Sequence, residues 1–276
     1  MNKIKSNIIK LYEIISTPSM SYLPGNLAFF LVLSIFPILT LIGVIASKFS
    51  INVSSLVNII NTALPGNVAE VLAAFIEGKG FDTNIGIFMI IGFFLASNGA
   101  KAIILASNNL YGFPNSDYIS RRIKAIILII IIILLFIFML GFVAFGNHIL
   151  NLVLKNIGDK NLSSLFKSLF LILKWPFTLF IIFFNVKLIY TIAPDWRVLS
   201  KHTTRGAAFT TIAWIIVVKI YSFWVTHFSN YDIFYGSLSN IVVLMLMTYI
   251  ISYILIIGIA INVRTYEYNL DDWQIN

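Results

Sequence analysis

The chain contains no cysteine. A disulfide framework and a thiolate metal site are therefore excluded, and the redox compartment is left open. Charge is scarce as well: 11% of the 276 residues are Asp, Glu, Lys or Arg, where a soluble domain carries about a quarter. Those four side chains normally build a water-facing surface, so a deficit of this size argues against a soluble fold. Histidine is limited to His148, His202 and His227, which fall in separate parts of the chain with no His-x-x-x-His pair. Metal sites and hydrolytic centres both need clustered ligands or a base with its orienting group. Asp159, Asp195, Asp232, Asp271 and Asp272 lie in expected loops or tails and read as solvated residues. Gly78-Lys79-Gly80 lacks the spacing of a phosphate-binding loop. No catalytic residue, metal or cofactor is expected.

What the chain has instead is oil. Hydrophobic residues make up 59%, with 24 Phe, 12 Tyr and 5 Trp available for membrane interfaces. A hydrocarbon core of about 30 Å requires roughly 20 apolar residues per helix. Six stretches meet that length: 25–47, 84–106, 123–146, 167–192, 205–228 and 237–263. The expected fold is all-α, a polytopic membrane protein of about six transmembrane helices with short amphipathic interfacial helices. Residues 1–20 form an amphipathic N-terminal helix in this reading, 21–265 the six-span domain and 266–276 a tail. The first apolar run is too long for a signal segment and reads as a retained span. In the N-terminal segment Ile4, Ile8, Leu11 and Ile15 form one stripe, with Lys3, Lys5 and Lys10 elsewhere on the wheel. Thr17-Pro18 ends it. Two further segments, around 53–60 and 68–76, have helical apolar spacing but cannot cross. They are expected to lie in the interface or dip into the bundle, and 149–165 reads as a similar interfacial piece.

The balance is basic, 19 Lys+Arg against 11 Asp+Glu. In a membrane protein that excess points to cytoplasmic loops and anionic headgroups rather than nucleic acid. One side collects Lys3, Lys5, Lys10, Arg121, Arg122, Lys124, Lys187, Arg197, Lys201, Arg205 and Arg264. The other carries Lys48, Lys79, Lys155, Lys160, Lys167 and Lys174. Both termini are therefore expected on the cytoplasmic face. Polar groups inside the spans cost free energy unless paired or hydrated. Lys219 either snorkels outward or lines a hydrated cavity, and Lys101, one turn after Asn98, favours snorkelling to the cytoplasmic side. Asn26 and Pro37 fall in the first span, where a proline frees a carbonyl and bends the helix. Gly206, Ala207, Gly258 and Ala260 read as helix-contact positions.

Several of these pieces, in order, resemble one family. Gly25-Asn26-Leu27-Ala28-Phe29-Phe30 is followed by Leu33-Ser34-Ile35-Phe36-Pro37, then Leu64-Pro65. Ala106-Ser107-Asn108-Asn109-Leu110-Tyr111 comes next, then Tyr190-Thr191-Ile192-Ala193-Pro194 with Arg197-Val198, Gly206-Ala207, and Phe234-Tyr235-Gly236-Ser237-Leu238. Together they resemble the YihY/BrkB family of bacterial inner-membrane proteins, once labelled ribonuclease BN. The resemblance implies a six-span bundle in the bacterial cell membrane with cytoplasmic termini. It marks Pro37, Pro65, Pro194, Gly206, Tyr235 and Gly236 as structural motif residues, and associates the family with envelope phenotypes that suggest lipid handling. Members typically carry Gly-Ala-Glu late in the last span, where this chain reads Gly258-Ile259-Ala260. A proton-coupled mechanism through that carboxylate is thereby put in doubt.

The leading expectation is a protein that transports or organises an anionic phospholipid or lipid precursor of the envelope. Its polar groove would be lined by Lys219, Lys101, Asn26, Asn98 and Asn108. A small-solute channel or carrier and a non-transporting membrane scaffold are the alternatives. Nothing among the residues supports ribonuclease chemistry.

Overall fold

The computed structural model describes residues 12, 13, 16–48, 54, 57, 58, 60, 61, 66–76, 85–155, 160–228 and 235–274. Among these the elements are all helical: α1 (Pro18–Lys48), α2 (Gly66–Ile76), α3 (Ile85–Tyr111), α4 (Tyr118–Lys155), α5 (Lys160–Ile192) and α6 (Ser200–Phe228). A 3-10 turn (Gly236–Leu238) then leads into α7 (Ser239–Gln274). All but α2 hold between 27 and 38 residues. At 1.5 Å per residue, each is longer than a hydrocarbon core of about 30 Å. These six long helices fall on the six expected spans. Among the described residues, Pro18–Ile35, Ser200–His227 and Ser239–Tyr266 are long and apolar enough to cross a membrane, and Pro176–Ile192 is a shorter apolar stretch. The molecule is a polytopic helical membrane protein.

Several edges differ from the sequence expectation for identifiable reasons. Pro18 begins α1 as well as ending what precedes it, because proline's missing N–H costs nothing in a first helical turn. In the piece expected at 149–165, α4 runs on to Lys155 and α5 starts at Lys160, with 156–159 outside the described residues. No proline interrupts the hydrogen-bond ladder of α4 before Lys155, so helix propagation carries it past the expected end of the span. Likewise α7 continues to Gln274, past residue 265. The N-terminal segment 1–11, Pro65 and most of 53–60 lie outside the described residues.

Helix α7 is the axis of the bundle and packs on α1, α2, α3 and α6. Two apolar cores form along it. The first joins Leu27 of α1, Ala100 and Ile104 of α3, Leu128 of α4, Val186 of α5 and Ile256 and Ile259 of α7. The second lies where α7 begins. There Val68, Leu72 and Ile76 of α2 meet Leu39, Tyr221, Val225, Val243, Leu244 and Met247. Helix α2 therefore dips into the bundle, the second of the two placements its apolar stripe allowed.

Inside this apolar frame, polar tips must find protein partners because lipid offers none. Tyr190 donates its hydroxyl to Leu255 O at 2.8 Å, Trp214 its indole N–H to Ile251 O at 3.0 Å, and Tyr221 its hydroxyl to Val243 O at 2.7 Å. Three levels of α7 thus receive a second donor on a carbonyl already inside a helix. The approach of α5 and α6 that allows this depends on two glycines. A Cβ at Gly206 would collide with Gly258 O, and one at Gly258 with Thr210 Oγ1 and Tyr190 OH. Close helix packing over small residues is the usual solution when no hydrophobic effect drives association in lipid.

Gly206→Ala is accordingly expected to destabilise the protein by about 1–3 kcal/mol, since the clash is with backbone, which cannot swing aside. Thermal unfolding in detergent, followed by tryptophan fluorescence, measures it. A melting temperature equal to that of the parent chain would refute the close-contact role.

Candidate functional site

The C-terminal ends of α3, α5 and α7 and the N-terminal ends of α4 and α6 meet on one side of the bundle. That side carries Arg121, Arg122, Lys124, Arg197, Lys201, Arg205 and Arg264. Its geometry starts with how α3 stops. Gly112 adopts φ +67°, a left-handed value that suits glycine. Phe113 N–H reaches back to Asn108 O at 2.9 Å and Gly112 N–H to Asn109 O at 3.3 Å, the paired closure that terminates helices over such a glycine. Five residues later Asp117 caps α4, accepting the Ser120 N–H at 3.0 Å. The Ser120 hydroxyl, and after it that backbone bond, hold the Asp117 pKa below its ordinary value.

The turn between these two caps folds over Asn108, which is fully buried. Its amide nitrogen donates to Asn115 Oδ1 at 3.0 Å and to Asp195 Oδ2 at 2.6 Å, while its oxygen accepts the Asp195 N–H at 2.8 Å. Asp195 Oδ2 also accepts the Ser116 N–H at 3.0 Å. Its other oxygen meets Lys124 Nζ at 3.1 Å, and the same ammonium donates to Pro194 O. The knot ties the α3–α4 turn, the first turns of α4 and the α5–α6 turn into one unit. Burial by itself would raise the Asp195 pKa; the Ser116 N–H, Asn108 amide and Lys124 ammonium outweigh it and hold the carboxyl below its ordinary range. Asp195 is thus a buried, fully engaged carboxylate and not the solvated loop residue that its sequence position suggested. Pro194, marked by its motif, is buried within the knot and supplies one of its acceptors.

Beside the knot runs a cationic edge between α3 and α4. Arg122 donates to Asn98 Oδ1 at 2.7 Å and to Phe94 O at 3.4 Å, with its guanidinium 3.9 Å from the Phe94 ring centre. Lys101 Nζ lies 5.1 Å from the Tyr118 ring centre. Phe94 and Tyr118 are both exposed. Among the described residues no carboxylate stands within ion-pair distance of either cation; the ion pair found there is Lys124–Asp195.

Of the five residues expected to line a groove, Asn98, Lys101 and Asn108 thus share the α3 side that meets α4 and the knot. Lys219 and Asn26 are placed elsewhere. Lys219 sits on the exposed stripe of α6 with Ile212, Ile216, Ile220 and Phe223, and Asn26 is exposed on α1. Pro37 lies within α1, and Gly206 is buried at the α6–α7 contact. Tyr235 and Gly236 (φ +51°) form the entry to α7.

Sequence reasoning passed over Thr210 and Asn262, placed Tyr190 in a motif without a role, and weighed His202 and Asp195 only to set them aside. Tyr190 OH and Thr210 Oγ1 are 2.7 Å apart in the bundle interior, and Asn262 Oδ1 accepts the Gly206 N–H at 2.8 Å. A lone amide late in the last apolar run was the available signal for Asn262; Asp195 directly follows the Ala193-Pro194 motif. Among the described residues, no three His, Asp or Glu side chains come together as a metal site.

The fold and the basic end define a multi-span helical membrane protein. The chain belongs to the virulence factor BrkB family, whose model matches residues 12–273. It is 30% identical over 245 residues to the ribonuclease-like protein YfkH of Bacillus subtilis, covering 86% of this chain and 87% of that one. It is 29% identical over 246 residues to a UPF0761 membrane protein of Vibrio campbellii, covering 85% and 74%. A Vibrio vulnificus UPF0761 membrane protein, VV0203, is 29% identical over 244 residues with the same shares. No solved structure matches.

Because the folded pKa of Asp195 is depressed, its contribution is complete above the ordinary value of 3.8 and disappears as pH falls through the lower folded value. Melting temperature should therefore hold from neutral pH down to the carboxylate range and then drop. Lys124→Met should cost about 1.5–3 kcal/mol at neutral pH, the scale of a charged hydrogen bond removed from a buried partner. Thermal unfolding across that pH range measures both; a variant that melts like the parent would show the knot to be dispensable.

Proposed function

We propose that this protein binds the headgroup of an anionic envelope lipid at the α3–α4 edge and moves or organises that lipid in the bacterial cell membrane, with the basic end and both termini facing the cytoplasm. The observation that carries the reading is the state of Arg122 and Lys101. Both are cations without a carboxylate partner among the described residues, and both are held against exposed aromatic rings. Arg122 spends two donors on Asn98 and the Phe94 carbonyl. The rest of its planar fork is free for a phosphate. Exposed Phe94, Ile90, Tyr118, Ile119 and Ile123 flank the pair, so acyl chains would lie against apolar side chains while the headgroup meets the cations.

Helix direction strengthens the same reading. Arg121, Arg122 and Lys124 occupy the first turns of α4, and Lys201 and Arg205 those of α6, where the helix dipole is already positive. Such placement weakens a helix in water but adds to the pull on anionic headgroups. Lys219 adds a cation on the outer stripe of α6, away from this edge and nine residues from the far end of the helix at Phe228. A membrane scaffold that recruits anionic lipid without moving it is the second reading, favoured by the rigid knot beside the edge.

Reconstitution into vesicles containing fluorescent phosphatidylglycerol distinguishes them. The parent chain should speed leaflet exchange over empty vesicles, and the double substitution Lys101→Gln with Arg122→Gln should slow it roughly tenfold. Lipid retained without exchange would favour the scaffold. Folded protein that neither retains anionic lipid nor speeds its exchange would overturn the proposal.

A further inference from the structure

A second polar site lies inside the basic end, where α3, α6 and α7 meet. Tyr266 of α7 is its hub: the ring centre is 5.7 Å from that of Tyr111, 6.0 Å from that of Phe113 and 5.7 Å from that of His202. Tyr111 and Phe113 stack at 5.1 Å, so the aromatic wall is continuous. Buried polar atoms without a protein partner gather around this wall. Both ring nitrogens of His202 are unbonded, and so is the hydroxyl of Tyr111. One turn along α3 the Ser107 hydroxyl is unbonded, and one turn along α7 the same holds for the Asn262 amide nitrogen. His202 is 7% exposed, Ser107 1% and Asn262 0%.

Buried polar groups in native proteins are almost always satisfied, and several exceptions in one place call for an occupant. The chemistry of these groups narrows its identity. Tyr111 and Ser107 can each donate a hydroxyl hydrogen, and an imidazole always offers at least one N–H. His202 stands in the first turn of α6, where the helix dipole favours an anion, although its own backbone N–H is taken by Leu199 O at 2.9 Å. Lys201 and Arg205 belong to the same two turns. Asp195, the buried carboxylate at this end, has both oxygens committed to the knot. The groups are rich in donors and present no free carboxylate among the described residues.

We propose that the junction of α3, α6 and α7 at Tyr111 and His202 is a binding site for a phosphate group, carried either by inorganic phosphate or by the monoester headgroup of a lipid. The site does not depend on the α3–α4 edge, and its occupant need not be a lipid.

The test uses the full chain in nanodiscs of zwitterionic lipid. Melting temperature is followed against inorganic phosphate and, separately, short-chain phosphatidic acid, with chloride at matched ionic strength as reference. Saturable stabilisation by phosphate, or by phosphatidic acid alone, is expected; the first assigns a free phosphate and the second a lipid headgroup. Tyr111→Phe and His202→Gln should each weaken the apparent affinity about tenfold or more. Tyr111→Phe should also leave the unliganded melting temperature unchanged or higher, because it deletes a buried hydroxyl that has no partner to lose. Stabilisation no greater than that by chloride, or equal in the parent and both variants, would overturn the site. The edge variant with Lys101→Gln and Arg122→Gln should bind phosphate like the parent, so failure of the lipid reading and failure of this site are separable.

Discussion

A bilayer interior supplies no water, so each polar group that enters it must be matched by another part of the protein. That constraint organises α7. Its carbonyls at Val243, Ile251 and Leu255 each take a donor from a tyrosine or tryptophan of a neighbouring helix. The tips of Tyr190, Trp214 and Tyr221 can then lie inside an apolar bundle without a desolvation penalty. Reach sets the condition. Tyr190 touches both Thr210 and Leu255 because α5, α6 and α7 close on one another at Gly206 and Gly258, where even a methyl group would collide. Small residues and polar tips are two halves of one solution.

At the basic end a different balance applies. Cations crowd the N-terminal turns of α4 and α6, against the helix dipole, and the ion pair that answers them there is Lys124–Asp195. The knot absorbs one positive charge and fixes the turns; Arg122 and Lys101 are left with aromatic rings and amides for company. Charge that the protein does not neutralise is available to the headgroups around it. Rigid turns and free cations therefore belong together: the knot holds the cationic edge in place without consuming it.

The spans were legible because oil-solubility over about 20 residues is a local property that any window of sequence displays. The dip of α2 was half legible, since its apolar stripe at Val68, Leu72 and Ile76 required a covering surface but could not say which. Asp195 was not legible at all as a buried group. Its main partners, Asn108 and Lys124, are 87 and 71 positions away, and no spacing rule connects a turn aspartate to them. The groove residues divide in the same way. Asn98, Lys101 and Asn108 are close in sequence on one helix, so their shared side followed from helical geometry. Lys219 and Asn26 were joined to them only by being polar in apolar runs, and that property carries no information about direction. Lys219 proves to share its stripe with four exposed apolar residues.

The same distinction bears on energy coupling. Where the family resemblance leads one to expect Gly-Ala-Glu, the chain has Gly258-Ile259-Ala260, and Ala260 is fully buried. A carboxylate at that depth would need either a proton or a cation beside it. Two residues on, the chain has the neutral amide of Asn262, which binds the Gly206 backbone through its oxygen and keeps its nitrogen unbonded. An amide can hold a neighbouring backbone but cannot take up or release a proton in the physiological range. Protonation of a side chain at position 260 therefore has no part in what this seam does.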